Sequence, residues 1–452
     1  MPVSAGDSAL IHDVVGVGFG PSNLALAIAV AEESPLGDPT SALFLERQPE
    51  FGWHRGMLID DATMQVSFLK DLVTLRNPAS GFSFLSYLHS RGRLVDFINH
   101  KNLFPLRVEF HDYLEWAAER VSHLVRYRHE VVSIHPVTLR DAIEGFEVTA
   151  RGPAGELVRH RARNVVLAIG LQPRLPDGVP AGPRIWHNRD LLRSVEQLDG
   201  SRPARFVVVG AGQSAAEVTA FLHRRFPAAE VCGVFARYGY SPADDSSFAN
   251  RIFDPDAVDD FHAAPEHVKQ MLLDYHANTN YSVVDMDLIQ DLYRRVYQEK
   301  VLGTERLRLF SASRLRDLDE RPDAVRVTVE SLTTGDTTVL DADVVVYATG
   351  YRPADPRTLL GDLAERCHRD EQGRLRVGRD YRVAVPADVR GGIYLQGGTE
   401  HSHGLSSSLL SNAAVRAADI LRSIHDDRRR GLPARCPASM AATHVDSLTP
   451  AI

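Results

Sequence analysis

Cysteine is scarce: the 452-residue chain carries only Cys232, Cys367 and Cys436. None stands in a Cys-x-x-Cys or metal-ligand spacing, which removes a redox-disulfide mechanism and favours a reducing, cytoplasmic compartment. No run of about 18 apolar residues is present, so no membrane-spanning helix is expected. Residues 1–10 lack the charged and apolar regions of a signal peptide and read as a loose leader. An excess of positive charge is missing too. Lys and Arg total 51 against 59 Asp and Glu, a net charge of −8, and no basic domain stands out, which argues against a nucleic-acid partner. The pairs Arg224-Arg225 and Arg294-Arg295 and the run at 428–430 read as solvated faces or tail.

Against these absences stand two glycine-rich turns, each closing an apolar β-branched run. The first is Gly16-Val17-Gly18-Phe19-Gly20-Pro21-Ser22-Asn23; the second is Gly210-Ala211-Gly212-Gln213-Ser214 after Phe206-Val207-Val208-Val209. Each reads as strand, tight turn and helix, with glycines that let backbone approach a pyrophosphate and helix N–H groups that bind its charge. Glu46, at the end of a second strand, is placed for a ribose hydroxyl. Two such sites suggest two dinucleotides and a hydride passed from nicotinamide to flavin.

The expected fold is α/β, with two Rossmann-like dinucleotide-binding domains and a small substrate-binding subdomain. Residues 11–200 form the first part of an FAD-binding domain, with a helix over 23–33 and a small β-rich insert at 127–169. Residues 201–345 form an NADPH-binding domain carrying loop-rich substrate-site segments at about 240–285. Residues 346–424 return to the FAD-binding domain with a Gly/Ser/His loop and a closing helix. Residues 425–452, rich in Arg, Pro and Ala, read as a disordered tail.

Further pieces are Met64-Gln65-Val66-Ser67-Phe68-Leu69-Lys70-Asp71-Leu72, Arg76-Asn77-Pro78, Asn278-Thr279-Asn280-Tyr281-Ser282, Ala348-Thr349-Gly350-Tyr351 and His403-Gly404-Leu405-Ser406-Ser407-Ser408. With the two glycine turns, these ordered pieces resemble the flavin-dependent N-hydroxylating monooxygenases, in particular the L-ornithine side-chain hydroxylases of siderophore and related peptide biosynthesis. The resemblance covers about residues 12–424. It implies FAD and NADPH as cofactors, and O2 and L-ornithine as substrates. It further implies oxygen transfer to the neutral amine through a C4a-hydroperoxyflavin, and a homo-oligomer, tetramer or dimer.

It also implies site residues. FAD would be held by Gly16, Gly18, Gly20, Pro21, Glu46, Trp53, His54, Gln65, Val131, Leu405, Ser406 and Ser407. NADPH would be held by Gly210, Gly212, Gln213, Ser214, Arg237, Asn280, Tyr281 and Ser282. Arg237 follows the strand at 231–236, where a cation suits the 2′-phosphate and no acid is present. Lys70, Asn250, Phe253, Asn280 and Ser408 would surround the substrate. Lys70 is assigned to the α-carboxylate, and Gln65, Lys70 and Asn280 to catalysis. Blander readings stand beside these: core packing for Trp53 and His54, a surface role for Arg237, and an ion pair with a neighbouring acid for Lys70.

Rival classes find less support. Baeyer–Villiger and sulfur-oxidising relatives carry Phe-x-Gly-x-x-x-His before the second turn, whereas Ala181-Gly182-Pro183-Arg184-Ile185-Trp186 precedes His187 here. His401 and His403 have no third ligand at recognisable spacing, so no metal is expected. The serine run lacks a G-x-S-x-G elbow and reads as pocket lining. A lysine or diamine N-hydroxylase is the alternative within the family.

Overall fold

The computed structural model describes residues 11–33, 39–198, 200–280 and 282–431. Tyr281, Cys436, the leader and the chain beyond 431 lie outside the described residues.

The apolar strand Ile11–Val17 is central to the first sheet, parallel to Ala42–Glu46 on one side and Leu157–Leu167 on the other. Val125–Tyr127 extends it beyond Ala42–Glu46. Leu157–Leu167 also pairs in parallel with Gly392–Leu395 and antiparallel with Ala142–Arg151, which continues to Glu130–Leu139. Both faces of the parallel core are covered, so Val14 and Val15 are completely buried.

Helical spacing predicts one apolar face on the first helix, through Leu24, Ala27, Ile28 and Ala31. In the structure the helix Pro21–Glu33 buries every residue from Asn23 to Val30. It is wedged against the strand Ala42–Glu46, the helix Arg107–Arg120 and the closing helix Ala413–Gly431. Alanines at 25, 27 and 29 let those neighbours approach on all sides.

The second sheet is parallel, in the order Leu307–Phe310, Glu230–Val234, Arg205–Val209, Val344–Tyr347, Ile185–His187. The last strand precedes residue 201, so the chain crosses between sheets earlier than expected. The crossing is the antiparallel ladder of Leu171–Pro173 with Tyr351–Pro353, which pairs the outgoing and returning linkers. A three-stranded antiparallel sheet, Ser313–Glu320, Val325–Ser331 and Thr337–Ala342, precedes the return.

Two expectations about loops are corrected. The stretch 240–285 holds the helices Pro255–Ala263 and Glu266–Asn280. Pro255 occupies the first turn, where its missing N–H has no intrahelical partner to lose. The closing helix continues to Gly431, so residues 425–431 are helical rather than tail. Among the described residues, no helix is long and apolar enough to cross a membrane.

Gly18 has φ +80°, and a Cβ there would lie 2.4 Å from the Ala168 carbonyl oxygen, whereas a Cβ on Gly20 meets nothing within 4 Å. Gly18→Ala is therefore expected to destabilise the protein by about 1–3 kcal/mol or more. Gly20→Ala should leave apoprotein stability within about 0.5 kcal/mol while weakening FAD binding. Urea unfolding and FAD titration separate the two effects; unchanged FAD affinity in Gly20→Ala would remove this turn from the pyrophosphate site.

Candidate active site

The first glycine turn joins strand Ile11–Val17 to helix Pro21–Glu33, whose leading N–H groups face outward at its start. Gly16 is required by close packing: a Cβ would sit 2.2 Å from the Phe44 ring. Glu46 is buried. Its carboxylate accepts from the Phe19 N–H at 2.6 Å and the Gln48 N–H at 2.8 Å, which locks the second strand to the turn. Each oxygen retains a further lone pair for a ribose hydroxyl. Val131 is half-buried at the start of Glu130–Leu139 and packs on the core beneath the first sheet.

The residues present fit a flavin dinucleotide. Space opens above Gly20 at a helix N-terminus, the anion-binding geometry of such turns. Leu405, Ser406 and Ser407 are buried in a turn between strand Gly392–Leu395 and the closing helix. Among the described residues, the hydroxyls of Thr399 and Ser407 and both amide atoms of Asn412 are buried without hydrogen-bond partners. Such groups are rare unless a ligand or water satisfies them. The turn is tied to the helix start, since Arg416 donates to both the Ser407 carbonyl and the Ser22 hydroxyl.

Trp53 packs half-buried against the first core, with its ring 4.7 Å from that of His54. The core-packing reading of Trp53 fits this placement, and nothing in it speaks against the cofactor reading. His54 adopts the left-handed conformation at φ 50°, a strained state for a non-glycine residue. It is partly open to solvent yet closely surrounded by protein. Loss of water, with the Arg107 charge nearby, pushes its pKa down to about 4, so the ring is neutral at physiological pH.

At the second turn Gly210 has φ +144°, and a Cβ would lie 2.4 Å from the Ala348 carbonyl oxygen. A Cβ on Gly212 would lie 3.3 Å from the Ser282 Cα, so the glycine lets the 282 segment approach the turn. Ser282 itself is left-handed at φ 57°. Its carbonyl accepts from the Arg237 guanidinium at 2.9 Å, which places the expected cation beside the second turn. Ser214 lies half-buried in the first turn of helix Gln213–Arg225. Gln213 is spent internally. Its amide donates to Glu217 and Asp285, both at 3.0 Å, and its carbonyl accepts from the Asp285 N–H.

Gln65 reaches across the same seam and donates to the Asp285 carboxylate at 2.6 Å. Asp285 thus gathers Gln65 from the loop after Met64 and Gln213 from the helix of the second turn, and burial raises its pKa. Below it, Arg107 forms a bidentate pair with Glu217 at 2.7 and 2.9 Å and also donates to the Met57 and Thr63 carbonyls. Sequence reading missed Asp285, Arg107 and Glu217. Asp285 has the appearance of an ordinary N-cap before helix Met286–Leu302, and the Arg107–Glu217 pair is separated by 110 positions.

Lys70 is half-buried with its ammonium 6.0 Å from the Phe253 ring centroid. The neighbouring Asp71 is not its partner. Asp71 is buried and accepts from the backbone of Val73, Thr74 and Phe84 and from the Thr74 hydroxyl. Among the described residues, no carboxylate forms an ion pair with Lys70. The turn Ala249–Phe253 packs on Leu405–Ser408, which brings Asn250, Phe253 and the exposed Ser408 together. The Asn250 amide nitrogen already donates to the Asp245 and Ser246 carbonyls. Asn280 ends helix Glu266–Asn280, and its side chain, like all of Tyr281, lies outside the description.

The histidines at 401 and 403 face backbone carbonyls of Leu375 and Arg379. His403 stacks on Tyr381 at 4.0 Å, and burial pushes its pKa down to about 3. Among the described residues, no group of three His, Cys, Asp or Glu could hold a metal ion. Cys232 and Cys367 are buried thiols, the former pushed up to about 12 by burial.

Similarity to known proteins agrees with this geometry. A family model for L-lysine 6-monooxygenase/L-ornithine 5-monooxygenase matches residues 10–353. The chain is 42% identical to the L-ornithine N(5)-monooxygenase of Burkholderia cepacia, over 94% of this chain and 97% of that protein. It is 36% identical to the enzyme of the same name from Pseudomonas aeruginosa, over 95% and 97%. Its fold superimposes with a TM-score of 0.89 on the ornithine N-hydroxylase of Kutzneria sp. 744, solved with reduced FAD, NADP+ and L-ornithine; identity is 49%, covering 93% of this chain and 100% of that one. The chain belongs to the L-lysine 6-monooxygenase/L-ornithine 5-monooxygenase family.

Proposed function

We propose that this protein hydroxylates the side-chain amine of L-ornithine to N5-hydroxy-L-ornithine, using FAD, NADPH and O2, for siderophore or related peptide biosynthesis. The observation that carries the reading is Lys70, whose ammonium lies 6.0 Å from the Phe253 ring and which, among the described residues, forms no ion pair with a carboxylate. An α-carboxylate supplies that partner. The donors of Asn250 are spent on its own turn, so its carbonyl oxygen is the atom suited to an α-ammonium. Phe253 walls the aliphatic chain, and Ser408 and Asn280 close the pocket. The names of the relatives favour ornithine over lysine.

FAD, when bound, supplies the oxygen-activating chemistry that no side chain can. The protein contributes placement and dryness. A free side-chain ammonium has a pKa near ~10.4 and must lose its proton before it can accept oxygen; desolvation against Phe253 and the covered flavin favours the neutral amine. Gln65, whose amide donates to Asp285, would face the oxygen-reacting side of the flavin. Asn280, Tyr281 and Ser282 would hold the nicotinamide ribose, and Arg237 would meet the 2′-phosphate. Trp53, His54 and Val131 complete the flavin contacts.

We also infer a cytoplasmic homo-oligomer. Helix Met286–Leu302 exposes Met286, Tyr293, Tyr297 and Val301 at helical spacing, an apolar stripe suited to a second copy.

Hydroxylamine formation from L-ornithine, L-lysine and putrescine, with peroxide assayed alongside, tests the function. Coupled product from ornithine with little from lysine is expected; NADPH consumed entirely to peroxide with all three would overturn the substrate. Lys70→Ala should raise the ornithine KM by roughly 10- to 100-fold, the worth of a charged hydrogen bond, with NADPH oxidation retained. Arg237→Ala should weaken NADPH and barely affect NADH; equal loss for both would remove the 2′-phosphate role. Light scattering of the soluble cell fraction should show an oligomer that Tyr293→Asp/Tyr297→Asp weakens, and a monomeric wild-type protein would contradict the inference.

A further inference from the structure

Arg416 is among the largest fully buried side chains, only 2% exposed, in the first turn of the closing helix. All three of its nitrogens are engaged. One terminal nitrogen donates to the Ser407 carbonyl at 2.6 Å, the other to the Ser22 hydroxyl at 3.1 Å, and Nε to the Gln396 side-chain oxygen at 3.4 Å. Gln396 in turn donates to Asn23 at 2.9 Å, and Asn23 donates to the Gly18 carbonyl at 2.7 Å. One guanidinium thereby fastens the first glycine turn, the start of helix Pro21–Glu33 and the Leu405–Ser408 turn to one another.

Every one of these acceptors is neutral. Among the described residues, no carboxylate forms an ion pair with Arg416. A buried cation without an anion is costly even after relaxation. Its surroundings add to the cost, because Ser22 and Ala413 both lie at helix starts, where the dipole is positive. A second observation points to a ligand here: among the described residues, the hydroxyl of Ser407 (1% exposed), in the turn that Arg416 holds, and the amide of Asn412 (2% exposed), one helical turn before Arg416, have no hydrogen-bond partner.

We propose that Arg416 is a cofactor-positioning residue whose buried charge is complemented by the anionic FAD dinucleotide, and which sets Ser22 and Ser407 for that cofactor. Its hold on Ser22 through the hydroxyl oxygen leaves the Ser22 proton free to turn toward a phosphate oxygen. In the apoprotein the charge is a burden; in the holoprotein it is an asset. The inference rests on FAD being the cofactor of the first turn.

FAD affinity, read by flavin fluorescence, and urea stability of the apoprotein are measured for wild type, Arg416→Met, Arg416→Lys, Ser22→Ala and the double variant Arg416→Met/Ser22→Ala. Arg416→Met is expected to lose roughly 10- to 100-fold in FAD affinity while its apoprotein unfolds at the same or higher urea concentration. Arg416→Lys should recover part of the affinity, and the double variant should lose less than the sum of the single losses. Unchanged FAD affinity with a weakened apoprotein would make Arg416 a structural strut and overturn the proposal, as would strict additivity with Ser22→Ala. If Arg416→Met does not fold, Arg416→Lys combined with Ser22→Ala gives the same cycle. Wild-type protein that fails to bind FAD would instead overturn the cofactor assignment.

Discussion

The arrangement of this enzyme depends on one buried ion pair, Arg107 with Glu217. Arg107 begins the helix Arg107–Arg120 against the first sheet, and Glu217 lies on the helix that follows the second glycine turn. Both side chains are withdrawn from water, at 12% and 6% exposure, and the contact is bidentate. Removing one partner from such a pair costs about 3–5 kcal/mol because the other charge is stranded. Glu217 also receives Gln213, which holds Asp285, which holds Gln65. A charge pair at the base therefore fixes a hydrogen-bonded seam above it. Hydride transfer between two bound dinucleotides requires such a fixed approach, since effective concentration falls steeply with misplacement. The same Arg107 charge helps keep His54 neutral.

The chemistry the seam can perform follows from which charges are left unsatisfied. Most acids and bases around it are consumed by the fold: Asp71 by four donors, Glu46 by two backbone amides, Asn250 and Gln213 by their own surroundings. Lys70 and Arg416 are two cations that, among the described residues, form no ion pair with a carboxylate, one near Phe253 and one beside the first glycine turn. In the proposals made above, their complements are an amino-acid carboxylate and a dinucleotide diphosphate.

Much of this was legible in the sequence. The glycine turns announce themselves because positive φ and backbone contacts at 2.4 Å admit only glycine at Gly18 and Gly210. The serine turn and Lys70 drew attention because they stand in ordered pieces of a family pattern. The helices Pro255–Ala263 and Glu266–Asn280 were not legible. Exposed Tyr275 and Met271 blur the apolar face of the second, and its stability comes from neighbours distant in sequence. The strand Ile185–His187 escaped for a related reason: at three residues it has no periodicity of its own and is defined by its partner Val344–Tyr347. The network residues Arg107, Glu217, Asp285 and Arg416 carry no local signature, because an ion pair across 110 positions leaves no mark on spacing.

The most direct test of the account is the fate of molecular oxygen. L-Ornithine labelled at its side-chain nitrogen is turned over with NADPH under isotope-labelled O2, and the product is analysed by mass spectrometry. One labelled oxygen atom bonded to the labelled nitrogen, in proportion to NADPH consumed, is the predicted result. Label on a carbon atom, oxygen derived from water, or unmodified ornithine with all label in peroxide would contradict it.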